Sequence, residues 1–107
     1  MRVLLDECTP RRLKREFGQL DVSHVADLGW QGHRNGRLLA SMRESGFEVL
    51  VTVDRNLQFQ QNLPEAGIAV IVLCATTNRA ADLRLLIPEV RELLGMVRPG
   101  NVYHVGV

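Results

Sequence analysis

The run Ile68-Ala69-Val70-Ile71-Val72-Leu73 has no polar residue alternating through it, which is the pattern of a strand covered on both faces. A sheet with such a strand at its centre needs helices above and below. The rest of the chain supplies them in alternation. Val3–Leu5 reads as a first strand. It is followed by a basic helix over Pro10–Phe17, where Thr9 can cap, Leu13 and Phe17 form an i,i+4 apolar pair, and Gly18 stops the element. A second strand at Val22–Val25 leads into a glycine-rich loop over Leu28–Gly36. Arg37–Ser45 places Leu38, Leu39 and Met42 on one helical face before Gly46, and Glu48–Val53 gives a third strand. Leu57–Asn62 reads as a short amide-rich helix. Asn78 can cap a helix striped by Leu83, Leu86, Val90, Leu93 and Leu94, with Pro88 kinking or restarting it and Gly95 closing it. Val102–Val107 completes an α/β pattern: a mainly parallel five-stranded sheet with helices on both faces, in the order 2-1-3-4-5.

Length and composition narrow the function. A chain of 107 residues is one domain, 1–107, with room for a single core. Hydrophobic residues make up 46% and aromatics only 5%, so the core is aliphatic and a base-stacking platform for single strands is excluded. The formal charge of +1 gives no global field toward nucleic acid or membrane. Cys8 and Cys74 are too few for a disulfide scaffold, and a strand stands where a signal peptide's apolar stretch would be. No apolar run is long enough to span a membrane. The expected compartment is the cytoplasm.

The acidic residues carry the chemistry. Asp6 and Glu7 close the first strand and Asp54 closes the third. Parallel strands end at one sheet edge, where α/β proteins bind ligands. Carboxylates gathered there repel one another unless a hard cation, Mg²⁺ or Mn²⁺, neutralises them. An Asp at a strand end also caps the following turn, an alternative that one residue alone leaves open. Two adjacent acids and a third on another strand exceed what capping requires. Thr52, two residues before Asp54, points to the same side, and its hydroxyl can support water at such an ion. Asn35 and Asn56 are amides that can ligate, hold a water, or simply form turns. Arg55, and after it Arg11 and Arg12, are candidates to steady a phosphate. Arg12 and Glu16 are also spaced for an i,i+4 ion pair. His24, His33 and His104 lack zinc-ligand spacing, and nothing near Cys8 in sequence activates its thiol.

Leu4-Leu5-Asp6-Glu7-Cys8-Thr9-Pro10 followed by Val51-Thr52-Val53-Asp54-Arg55-Asn56-Leu57 resembles the short stand-alone bacterial proteins of the PIN-like nuclease superfamily. The resemblance continues through Leu28–Gly36, Gln60-Gln61-Asn62 and Ala69–Leu73, covering nearly the whole chain. It implies a Rossmann-like three-layer PIN-like fold. It also implies a Mg²⁺- or Mn²⁺-dependent endoribonuclease, often the toxin of a toxin–antitoxin pair. Asp6 and Asp54 match the core metal-binding acids, and Glu7 matches the second acidic position, as ligand or base. The partners implied are an RNA substrate, a small antitoxin protein and, in a homodimer, a second copy, with no membrane. Asn35 and Asn56 depart from the family, many of whose members place Asp there. That departure keeps a non-catalytic protein-binding module as the alternative. A phospho-accepting receiver domain also fits Asp6, Glu7, Asp54 and Thr76, but it needs a lysine near the end of strand five, and the only lysine here is Lys14.

Overall fold

The computed structural model describes residues 1–33, 35–55 and 63–106, with the side chain of residue 35 excepted. Five strands form one sheet: β1 (Arg2–Leu5), β2 (Asp21–His24), β3 (Val49–Thr52), β4 (Ala69–Cys74) and β5 (Val102–Gly106). Every neighbouring pair is parallel, and the order is β2-β1-β3-β4-β5. Helices lie on both faces, so the chain is a Rossmann-like three-layer α/β fold. They are α1 (Asn35–Glu44), α2 (Leu63–Ala66), α3 (Ala80–Leu83) and α4 (Ile87–Leu93), with 3₁₀ helices at Arg11–Phe17, Val25–Leu28 and Arg84–Leu86.

The period-two geometry of a strand divides the core into two layers. Val3, Leu5, Val49, Val51, Ile71 and Leu73 face Leu13 and Phe17 of the first 3₁₀ helix and Leu83, Ile87 and Val90 of α3 and α4. Leu4, Leu50, Val70 and Val72 face the other way, against Leu38, Leu39 and Met42 of α1 and Leu63 of α2. Burying each such side chain contributes roughly 1.5–3 kcal/mol, which is why the central strands read as unbroken apolar runs.

The connections fix where the helices sit. The β3–β4 and β4–β5 connections step in the same direction across the sheet, yet α2 packs on one face and α3 with α4 on the other. Two such crossovers must have opposite hands. The β1–β2 and β2–β3 connections agree in hand with β3–β4, so β4–β5 differs from the rest in a class of fold where one hand dominates. Its consequence is local: α3 and α4 lie beside the Arg11–Phe17 helix.

Several elements differ from the sequence expectation. The first helix is 3₁₀, not α, and its N-cap is Pro10 in extended conformation with no side-chain cap. Thr9 does not cap it, because the Thr9 N–H and hydroxyl both donate to the Asp6 carbonyl (3.0 and 2.6 Å), closing a tight turn. The Arg12–Glu16 ion pair does not form among the described residues. With three residues per turn, positions i and i+4 no longer align. The stretch expected as a Leu28–Gly36 loop begins at the end of one 3₁₀ helix and finishes inside α1. The expected helix Leu57–Asn62 lies outside the described residues, and α2 follows it. Arg79, not Asn78, is the N-cap of α3; the Thr77 hydroxyl accepts from the Arg79 N–H instead (3.1 Å). Pro88 restarts the chain as α4, in a first turn where its missing N–H costs nothing. Among the described residues no helix is long and apolar enough to cross a membrane.

Candidate active site

The C-terminal edge of the sheet carries an open depression lined by Asp6, Glu7, Cys8, Val53, Asp54 and Asn78. Residues 48 positions apart meet there because the β1–β3 register, Leu5 opposite Val51, continues one step to put Asp6 opposite Thr52. The Asp6 N–H extends the ladder to the Val51 carbonyl (2.9 Å).

Asp6 is held by three donors. Its Oδ2 accepts from the Thr52 hydroxyl (2.8 Å) and the Cys8 thiol (3.2 Å), and its Oδ1 accepts from the Glu7 N–H (2.8 Å). A carboxylate offers about four acceptor positions, so capacity for a cation remains. Thr52 is fully buried and works in both directions: it donates to Asp6 while its oxygen accepts from the Asp54 N–H (3.0 Å). The hydroxyl therefore spends its one proton on Asp6. It positions both strand-end acids.

Glu7 is exposed and turned toward the glycine-rich segment, where its Oε1 accepts from the Gly32 N–H (2.7 Å). That contact ties the segment, anchored by Trp30 edge-on to Phe47, to the site. Asp54 follows β3 on the exposed rim of the depression, and Arg55 next to it is exposed. The Cys8 sulfur is turned inward, 3.5 Å from the Thr52 oxygen, although the residue as a whole is exposed. Burial, with the neighbouring Asp6 charge and hydrogen bond adding to it, outweighs the Thr52 and Val53 hydrogen bonds and raises the thiol pKa above its ordinary 9.0. Cys8 thus serves as a donor to Asp6.

The remaining expectations separate. Arg11 does not line the acidic depression; with Lys14 it pairs with Asp27 beyond β2. Arg12 is exposed on the side facing α3. Asn35 opens α1, but its side chain, like all of Asn56, lies outside the described residues. In sequence Asn78 is a helix-cap candidate and nothing more. It lines the depression, and its place four residues beyond the end of β4 was the available signal. His24 is buried and structural: Nδ1 accepts from the Ala26 N–H (2.9 Å), so the proton sits on Nε2 and is donated to the Thr9 carbonyl (2.7 Å).

The three acids at the edge, Asp6, Glu7 and Asp54, offer only oxygen, which suits a hard divalent ion better than zinc. Among the described residues no group of three or more His, Cys, Asp or Glu is drawn together closely enough to hold an ion. No family model matches the chain, and neither does any curated protein or solved structure.

Proposed function

We propose that the protein is a Mg²⁺- or Mn²⁺-dependent ribonuclease of PIN-like type, acting in the cytoplasm as the toxin of a toxin–antitoxin pair with a small antitoxin as partner. The observation that carries this reading is that Asp6, Glu7 and Asp54, from the ends of two strands, line one open depression at the edge of the sheet. The resemblance of the Leu4–Pro10 and Val51–Leu57 segments to PIN-like proteins supplies the reaction class, and two unpaired thiols suit a reducing compartment.

Asp6 and Asp54 are the residues that would hold the ion, with Glu7 beside them. When bound, the ion supplies Lewis-acid activation of the scissile phosphodiester and of the attacking water. The chain's own contribution is preorganisation. Thr52 and Cys8 fix the Asp6 carboxylate before substrate arrives, and Thr52 holds the backbone at Asp54. Glu7, fixed through one oxygen to Gly32, is the acid available to take a proton from water. Cleavage of a labelled RNA with Mn²⁺ tests the reading. Wild type should cut, and Asp6→Asn should lose about 10²-fold or more, the scale of removing one electrostatic element from such a site. A wild-type protein that cuts nothing would refute it.

The second reading, a protein-binding module without catalysis, is favoured by one observation: three protein donors already occupy the Asp6 carboxylate. On that reading Asp6 is a structural tie between β1 and β3, and Mn²⁺ leaves the protein unchanged.

A further inference from the structure

We propose that the groove between the Arg11–Phe17 helix and α3 holds the phosphate backbone of single-stranded RNA and leads it to the strand-end acids; this rests on the nuclease reading and names the path of its substrate. The basic run Arg11-Arg12-Leu13-Lys14-Arg15 is divided by its own geometry. At three residues per turn, Arg11 and Lys14 share one side and Arg12 and Arg15 another. The first pair is engaged by Asp27, one carboxylate shared between the two cations. The second pair lines the groove with Arg84, Leu13 and the small residues Ala80 and Ala81, and Glu16 is the one acid there.

Arg12, Arg15 and Arg84 form no ion pair among the described residues. Three unpaired guanidiniums and one carboxylate give the groove a local excess of positive charge on a chain whose total is only +1. The strip continues past the helix end, where the Arg91 guanidinium lies beside Gly18. Like charges gathered without partners are unfavourable until an anion arrives, and guanidinium is the group best matched to phosphate.

Among the described residues the groove and the acidic depression share no lining residue, but the chain links them twice: Cys8 in the depression lies four residues before Arg12 in the groove, and Asn78 two residues before Ala80. Both helices that wall the groove follow parallel strands, β1 and β4, from the edge that carries the acids, so the proposed path runs from the groove toward Asp6 and Asp54. No aromatic residue lines it, so the contacts are to phosphate, independent of sequence and dependent on salt.

The test is fluorescence anisotropy of a labelled 12-nucleotide single-stranded RNA in EDTA, where nothing is cut. Wild type should bind with a log–log salt slope of about −2, the value for three phosphates released from their counterions. The triple variant Arg12→Ala/Arg15→Ala/Arg84→Ala should bind at least tenfold more weakly with a slope near zero. Arg43→Ala, on the opposite helical layer, should bind within twofold of wild type. Circular dichroism melts confirm that the variants are folded. A folded triple variant that binds like wild type overturns the proposal, as does a wild type that ignores RNA and binds polyglutamate, which would assign the groove to an acidic protein. Arginine-dependent binding with no Mn²⁺-dependent cleavage would refute the nuclease reading and leave the groove standing. Cleavage abolished by Asp6→Asn but untouched by the triple variant would refute the groove alone.

Discussion

Thr52 has one hydroxyl and uses it to set the geometry of two carboxylates. Replacing it with the isosteric valine leaves the Asp6 Oδ2 without its buried donor and the Asp54 N–H without its acceptor. Thr52→Val should therefore cost about 1–3 kcal/mol in urea denaturation. A variant as stable as wild type would show that the hydroxyl is dispensable. Cys8 gives a second readout of the same cluster. Because its thiol pKa is raised, first by burial and then by Asp6, metal-free protein should alkylate more slowly at pH 8.5 than an unperturbed thiol. Asp6→Asn removes the neighbouring charge and should move the iodoacetamide rate profile to lower pH. A raised folded-state pKa favours the thiol form, so its stabilisation is complete below the unfolded-state pKa and lost as pH climbs through the folded one. At this scale the sequence was partly legible. Strand alternation put Thr52 and Asp54 on one side, but it did not show that Asp6 would consume the Thr52 proton. Nor did it show that His24 would be a buried cap, since a lone histidine in a strand carries no mark of its partners.

Among the elements, the 3₁₀ segments were the least legible. Leu13 and Phe17 are spaced for a period of 3.6 yet are both buried in the 3₁₀ form, so their burial does not distinguish the two periods. The Arg12–Glu16 pair, which needs 3.6, is what fails. The Val25–Leu28 segment has a reciprocal cap that its sequence conceals: the His24 N–H donates to Asp27, and the His24 ring accepts from Ala26. That backbone donor, with Arg11 and then Lys14, holds the Asp27 pKa down at about 2, from an ordinary 3.8. A lowered folded-state pKa stabilises the protein above the unfolded-state value and ceases to do so as pH falls toward the folded one. Asp27→Asn should accordingly cost about 1 kcal/mol at pH 7, after allowance for solvent screening, and close to nothing at pH 2. Equal losses at both pH values would mean that charge is not the cause. At the end of β5, Gly106 has φ +98, and a β-carbon there would fall 2.2 Å from the Cys74 carbonyl oxygen. Gly106→Ala should destabilise by about 2–3 kcal/mol, read as a lowered urea midpoint; an unchanged midpoint would show that the strand end relaxes freely.

For the whole molecule, the acids at two strand ends required that β1 and β3 be neighbours, as they are, and the expected order 2-1-3-4-5 is the one observed. What sequence pattern does not encode is the face over which a connection crosses. The reversed hand of the β4–β5 connection comes from packing: Leu83, Ile87 and Val90 cover the face that the short Arg11–Phe17 helix leaves open. That choice sets α3 beside Arg12 and Arg15 and brings Asn78 to the rim of the acidic site. On the proposed reading Asp6 and Asp54 share one divalent cation at this edge. Calorimetric titration of Mn²⁺ into the metal-free protein should then show weak saturable binding, in keeping with a site of few charges and retained waters, and lose that signal in Asp6→Asn and in Asp54→Asn alike. An isotherm unchanged by either substitution, or a wild-type protein that takes up no Mn²⁺, would contradict it.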